Sequence, residues 1–292
     1  MKIVNFSGGI GNQMFQYALL VALRETFHDE TLMDTSYYGL KEMHNGFELA
    51  RVFNITAKEA TAEQINMLSH YFPSYKLARF YWKFLPKRKT ECPERKDCLF
   101  NPDVLTVNNN LYYNGIWQDY RYFDQFRDVI LKEFSYREPF AGRNAEAAEQ
   151  FSERLTVSLH VRRGDYLLHK NYIGLCGIDY YRRAIKHIRS RYGTNVAYAV
   201  FSDDMEWCRE NLLPLLCENN VTYVDWNHGL DSYNDMRLMS ACKVNVIANS
   251  SFSWWAAYLN THEDKEVIAP RKWTNIPVRF DRQMPGWTLF EG

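Results

Sequence analysis

Leu155-Thr-Val-Ser-Leu-His-Val-Arg-Arg-Gly-Asp-Tyr166 is an apolar run that breaks abruptly into charge. Leu155–Val161 reads as a strand, and two arginines stand just past its end. Strand ends are where open parallel sheets hold ligands. Arginine stays charged at any working pH, and its planar fork of donors matches phosphate oxygens. The segment therefore reads as part of a phosphate site built on Arg162 and Arg163. A surface ion pair between an arginine and Asp165 is the plain alternative.

Downstream, strands and helices alternate. Val196-Ala-Tyr-Ala-Val-Phe201 is almost continuously apolar, as in a parallel sheet covered on both faces. It ends at Ser202-Asp203-Asp204, and a helix follows from about Met205 to Asn211. Asp179 is expected to cap an earlier helix running to Arg191, and Asp231 one running to Ala241. Val221–Val224 and Val244–Ile247 read as strands, the second ending at Asn249-Ser250-Ser251. Phe252–Leu259 reads as a helix and Glu266–Ile268 as the last strand. The pattern is doubly wound α/β. Polar groups thus follow three strands, and such loops converge on one crevice. Ser250 and Ser251 open a helix, where hydroxyls and backbone N–H groups can hold a phosphate. Taken singly, Ser250 is equally a plain N-cap, and Asp203 and Asp204 a cap and a first-turn acid. No Asp-x-Asp occurs in the chain. Arginines, helix N-termini and backbone amides must then offset a pyrophosphate charge, which predicts a metal-independent site.

Upstream, Ile3–Phe6 reads as a strand, Ser7-Gly-Gly-Ile-Gly11 as a glycine turn and Asn12–Phe27 as a helix. Strand, glycine turn and helix together bring backbone N–H groups to an anion. Gly9-x-Gly11, with Asp34 ending a second strand about twenty residues on, fits part of a dinucleotide fingerprint. Met14 stands where the third glycine belongs. A tight turn without ligand is the other alternative. Residues 75–89 hold six basic residues, interleaved aromatics and no acid. That is the composition of a segment lying on an anionic membrane surface, or of a core helix with a solvated basic face. Leu111–Tyr113 reads as a strand and Asp124–Phe134 as a helix. Between them Trp117, Gln118, Tyr120 and Tyr122 suit a sugar-binding wall or an aromatic core.

Length and charge set bounds. A chain of 292 residues accommodates two domains. Lys plus Arg equals Asp plus Glu at 35 each, which argues against a nucleic-acid protein. The six cysteines form no Cys-x-x-Cys pair and read as reduced thiols. No run reaches the ~20 apolar residues of a membrane span, and Met1–Phe6 lacks a signal-peptide stretch. The expected localisation is cytoplasmic, peripheral on the inner membrane face.

Five blocks carry a family likeness: Gly8-Gly-Ile-Gly-Asn-Gln-Met-Phe-Gln-Tyr-Ala18, His160–Tyr166, Phe201–Asp204, Asp235-Met-Arg-Leu-Met-Ser-Ala-Cys242 and Ala248-Asn-Ser-Ser-Phe-Ser-Trp-Trp-Ala-Ala257. Together they resemble the α-1,2-fucosyltransferases, in particular the bacterial branch, glycosyltransferase family 11. The resemblance implies an α/β protein of GT-B type, two Rossmann-like domains facing across a cleft. Residues 1–150 would form the acceptor-side domain and 151–292 the GDP-fucose-binding domain, with the last residues packing back on the first. The implied reaction moves L-fucose from GDP-β-L-fucose to the 2-hydroxyl of a terminal β-galactoside. It needs no cofactor or metal, and the acceptor glycan can be lipid-linked.

By the same likeness Arg162 is the chief pyrophosphate ligand, with Arg163 beside it. His160 lies near guanine or phosphate, and Asp165 orients the arginines or the donor. Asp203 and Asp204 serve the guanosine end. Asn249, Ser250, Ser251 and Phe252 serve the phosphates, and Gly9, Gly11 and Asn12 floor the site near the sugar. Asp165, His169 or no residue at all acts as base. A transferase using another GDP- or UDP-sugar and a non-catalytic glycan-binding module are the rival readings.

Overall fold

β1 (Lys2–Asn5) buries Ile3 and Val4 completely, and the chain turns through Gly8 and Gly9 into α1 (Ile10–Phe27). Gly8 has a φ of +82°, and a Cβ there would lie 2.6 Å from Asn12 Nδ2. A side chain at that point would be strained by the backbone and would have to displace the Asn12 amide. From Ile10 to Leu23 every residue of α1 except Asn12 is buried, so the helix runs through its unit rather than over it. β2 (Thr31–Asp34), α2 (Ser36–Leu40), α3 (Leu49–Val52), β3 (Lys58–Glu59), α4 (Ala62–Leu68), α5 (Tyr75–Phe84), β4 (Glu91–Pro93), β5 (Leu111–Asn114) and α6 (Arg127–Glu133) follow. They form a first compact unit, Met1–Glu138, on a parallel sheet of order β3-β2-β1-β5-β4. The buried Glu133 carboxylate ties α6 to α1, accepting from Tyr17 Oη and from Arg24 Nη2 at 2.6 Å.

The second unit, Pro139–Gly292, opens with α7 (Gly142–Glu153) and continues with β6 (Thr156–Val161), α8 (Ile178–Tyr192), β7 (Ala197–Ser202), α9 (Met205–Asn211), β8 (Val221–Val224), α10 (Tyr233–Ala241), β9 (Val244–Val246), α11 (Ser251–Leu259), β10 (Glu266–Pro270) and β11 (Thr288–Phe290). Its sheet is parallel throughout, in the order β11-β10-β9-β6-β7-β8. All six residues of β6 are buried. Val157, Leu159 and Val161 pack with Tyr180, Tyr181, Ala184 and Ile188 of α8 and with Val244 and Val246 of β9. The computed structural model describes residues 1–40, 44–84, 86–216, 220–276 and 282–292, without the side chain of Trp82.

Several expectations shift. The units divide at 138/139 rather than 150/151, because α7 packs against α10. The last residues add β11 to the second sheet, alongside β10, and so belong to the second unit. Asp179 is not a cap: Gly177 precedes α8, and Asp179 pairs with Arg182 in its first turn. Asp231 closes a 3₁₀ turn, leaving Ser232 ahead of α10. The helix expected over Asp124–Phe134 is a 3₁₀ turn, Asp124–Phe126, followed by α6. Five of the cysteines are free thiols; Cys217 lies outside the described residues. No described helix is long and apolar enough to cross a membrane.

Candidate functional site

In the second unit the chain passes from β6 outward to β7 and β8, then returns to the other flank of β6 as β9. The strand order reverses between β6 and β9, and a crevice opens at the carboxyl ends of such a pair. The loops that leave these two strands are Arg162–Asp165 and Ile247–Ser250.

The two arginines have different surroundings. Arg162, with a third of its side chain exposed, reaches Asp165 through Nη2 at 2.7 Å and Asp203 through Nη1 at 3.1 Å. Its guanidinium lies 5.4 Å from the Tyr166 ring centre. Arg163 is clamped: its Nε donates to Asp204 at 2.9 Å and its guanidinium sits 4.3 Å over Trp207. Asp204 also caps α9, accepting from Trp207 N at 3.1 Å. The Arg163 pair holds the Asp204 carboxyl below the usual range. Asp203 accepts from Arg163 N at 2.9 Å. The expected acids therefore stand first against the arginines. Three carboxylates face two guanidiniums, a net charge of −1 from 2 − 3. Asp165 is 54% exposed and the most readily displaced from its partner. The backbone is tight here: a Cβ on Gly164 would lie 2.6 Å from Asp203 Oδ2.

His160, on β6, is 6% exposed, and its Nδ1 meets no hydrogen-bond partner among the described residues. Burial, reinforced by the Arg162 charge, pushes its pKa down to about 3, so the ring is neutral near pH 7. Its carbonyl accepts from Tyr181 Oη at 2.9 Å, and its ring lies 6.0 Å from that of Phe252. A buried polar atom without a protein partner is free to meet a ligand group or a water. On the other side of the crevice Ser250 caps α11, accepting from Phe252 N at 3.3 Å. The positive end of the α11 dipole thus faces the arginine loop's side of the sheet. Asn249 is buried and turned inward: its Nδ2 donates to the Trp273 carbonyl at 3.2 Å, and Cys176 Sγ approaches its Oδ1 at 3.6 Å.

The first unit has an equivalent reversal, between β1 and β5. It joins the glycine turn to the segment after β5. Gln118 Nε2 donates to Asn12 Oδ1 at 2.6 Å, and Gln16 Nε2 to the Gly115 carbonyl at 2.9 Å. Tyr38 Oη donates to the Gly8 carbonyl at 2.7 Å. The turn of Gly9, Gly11 and Asn12 therefore stands at a ligand-type position with Gln118 beside it. The wall expected from four side chains is smaller. Trp117 and Tyr122 are buried against each other and Tyr113, leaving Gln118 and Tyr120 partly exposed. The dinucleotide reading fails physically. Asp34 is buried, with Tyr112 Oη donating to Oδ2 at 2.6 Å and Ser36 N to Oδ1 at 2.9 Å, so it is not presented to a ribose.

Sequence reasoning missed Tyr166, Trp207 and Tyr181, which seat Arg162, Arg163 and His160. An aromatic directly after Arg-Arg-Gly-Asp was the available signal for the first; the other two are read only from contacts. Among the described residues no three His, Cys, Asp or Glu side chains gather as metal ligands do.

Comparisons with known proteins bear on the family and the fold. The pattern of glycosyl transferase family 11 matches residues 1–291. The O-antigen biosynthesis glycosyltransferase WbnK of Escherichia coli is 36% identical, over 91% of this chain and 93% of its own length. An Escherichia coli α-1,2-colitosyltransferase is 29% identical over 93% of this chain and 91% of its own. Human galactoside α-(1,2)-fucosyltransferase 1 is 28% identical over 87% of this chain and 64% of its own. Among solved structures, the NodZ α-1,6-fucosyltransferase soaked with GDP-fucose superposes with a TM-score of 0.55 at 17% identity. The match covers 88% of this chain and 92% of that one, and it identifies the fold as GT-B, built from two Rossmann-like units.

Proposed function

The chain belongs to glycosyl transferase family 11, and from that premise we propose that it moves L-fucose from GDP-β-L-fucose to the 2-hydroxyl of a terminal β-galactoside. The product is an α-1,2 linkage, formed with inversion, in a surface glycan such as an O-antigen. The acceptor is a lipid-linked glycan, met at the cytoplasmic face of the membrane. The donor reading rests on one observation: a part-exposed Arg162 and an unpartnered His160 Nδ1 share the crevice between β6 and β9.

In this reading the pyrophosphate takes Arg162 from Asp165 and lies toward the amino end of α11, near Ser250, Ser251 and Phe252. Neutral His160 offers a hydrogen bond without adding charge. As the glycosidic bond breaks, negative charge grows on the leaving phosphate, and Arg162 supplies positive charge where that change occurs. Asp203 orients Arg162, whereas Arg163 and Asp204 hold the loop rather than the ligand. Asp165, once released, is the candidate to take the acceptor proton. The glycine turn with Asn12 and Gln118 serves the sugar and acceptor. No metal has a part in this scheme.

A colitosyl donor is the rival, carried by the 29%-identical relative. The test incubates the purified chain with GDP-fucose, GDP-colitose, GDP-mannose and a UDP-sugar, each with a panel of β-galactosides in excess EDTA, with linkage analysis of products. We expect fucosyl transfer to the galactose 2-hydroxyl. Transfer of colitose alone, or activity that requires added Mg²⁺ or Mn²⁺, refutes the donor or the metal-free scheme respectively.

A further inference from the structure

α5 carries an exposed face that the proposed reaction does not use. Its inner side is fixed by Ala78, fully buried, and Tyr81, 5% exposed, whose ring packs against His70 and Phe72. Leu77, Phe80 and Phe84 are instead 53%, 58% and 61% exposed. At about 100° per residue these three fall within roughly 60° of one another, so they form one row. Phe80 and Phe84 meet ring to ring at 5.0 Å, making that row continuous. Lys76, Arg79 and Lys83 are exposed in a second row beside it, and among the described residues none forms an ion pair with an acid. No acid occurs between Tyr75 and Lys89. A core helix would turn its apolar row inward; α5 presents apolar and cationic rows together to solvent.

We propose that this face of α5 seats the protein on an anionic lipid bilayer. Leu77, Phe80 and Phe84 enter the headgroup boundary, and Lys76, Arg79 and Lys83 meet lipid phosphates. Apolar insertion plus attraction to anionic lipid is the combination that holds peripheral helices in an interface. Charge complementarity selects lipid over a second copy of this chain, because two copies would bring six cations face to face. The chain is neutral overall, so the attraction is local to this patch.

The full-length protein would be sedimented with vesicles of phosphatidylcholine alone and of equimolar phosphatidylcholine and phosphatidylglycerol. We expect binding to the second and not the first, weakening as salt rises. The triple variants K76Q/R79Q/K83Q and L77S/F80S/F84S should each lower the vesicle partition coefficient by about a hundredfold or more, from roughly fivefold per cation or apolar side chain. Unchanged thermal unfolding keeps these variants interpretable; should the apolar triple fail to fold, the cationic triple decides. Equal binding to both vesicle types, no binding at low salt, or wild-type partition by the cationic triple would overturn the proposal. So would self-association in sedimentation velocity that Phe80→Ser abolishes, since a second copy would then cover the face.

Discussion

At the scale of single residues, the adjacent arginines differ in what touches them. Arg162 keeps a third of its side chain in solvent and pairs with an exposed acid, so it is available to a ligand. Arg163 is held between Asp204 and Trp207. Arg162→Ala should therefore lower kcat/KM by about 10²–10³, as loss of one charge-stabilising donor does, with unfolding by urea unchanged. Arg162→Lys should restore little, because an ammonium cannot reproduce the planar fork. Arg163→Ala should do the reverse, lowering the urea midpoint by an amount equivalent to about 1–2 kcal/mol through the lost Asp204 contact and Trp207 packing. Steady-state kinetics and denaturation on the same preparations separate the two. The pair stood out in the sequence, but the different surroundings of its two members did not. The acids that decide it stand some forty positions downstream at Asp203 and Asp204, and nothing local announces which arginine they hold.

At the scale of elements, eight of the eleven strands described were legible to within two residues, because buried parallel strands are continuous apolar runs, whereas the short, more exposed β3 and β4 were not read at all. Caps were harder. Asp204 and Ser250 do cap their helices, but Asp179 lies in the first turn of α8 and Asp231 closes a 3₁₀ turn. An aspartate favours either place, since a first-turn carboxylate also opposes the dipole, so composition cannot separate them. β11 escaped notice because three residues carry no periodicity and owe their conformation to β10. The Ser250 cap offers the element-level prediction. Ser250→Ala should destabilise the second unit by about 1 kcal/mol and Ser250→Asp by much less. Yet Ser250→Asp should weaken GDP binding, by setting a carboxylate where the pyrophosphate is proposed to lie. Urea unfolding and GDP titration calorimetry read the two effects separately.

At the scale of the whole molecule, two buried groups pull stability in opposite directions with pH. His160 has a folded pKa of about 3 against 6.5 for a free histidine. The unfolded chain binds the extra proton, so stability is full above about pH 6.5 and falls as pH drops toward 3. Asp235 is the converse. Burial pushes its pKa up to about 7, although Asn227 Nδ2 donates to it at 2.8 Å. Its unfolded form ionises first, so stability falls as pH rises from about 4 through 7. Each contributes about 1.4 kcal/mol per pH unit in the interval they share, with opposite signs. Asp235→Asn, which keeps the oxygen facing Asn227, should raise stability at pH 7.5 and expose an uncompensated acid loss below pH 6.5; urea midpoints across pH 4 to 8 test this. Both crevices carry a further consequence, for the order in which the molecule assembles. Val157 pairs with Val244, 87 positions later (244 − 157), and Lys2 with Leu111, 109 positions later (111 − 2). In each sheet no other strand pair is so distant in sequence. Distant pairings close late because their loop entropy must be overcome first. The strand pairs that flank both crevices are therefore expected among the last contacts to form, and a nucleotide bound as proposed, across β6 and β9, would act as a clasp on the finished sheet, opposing the partial openings in which its two halves would part.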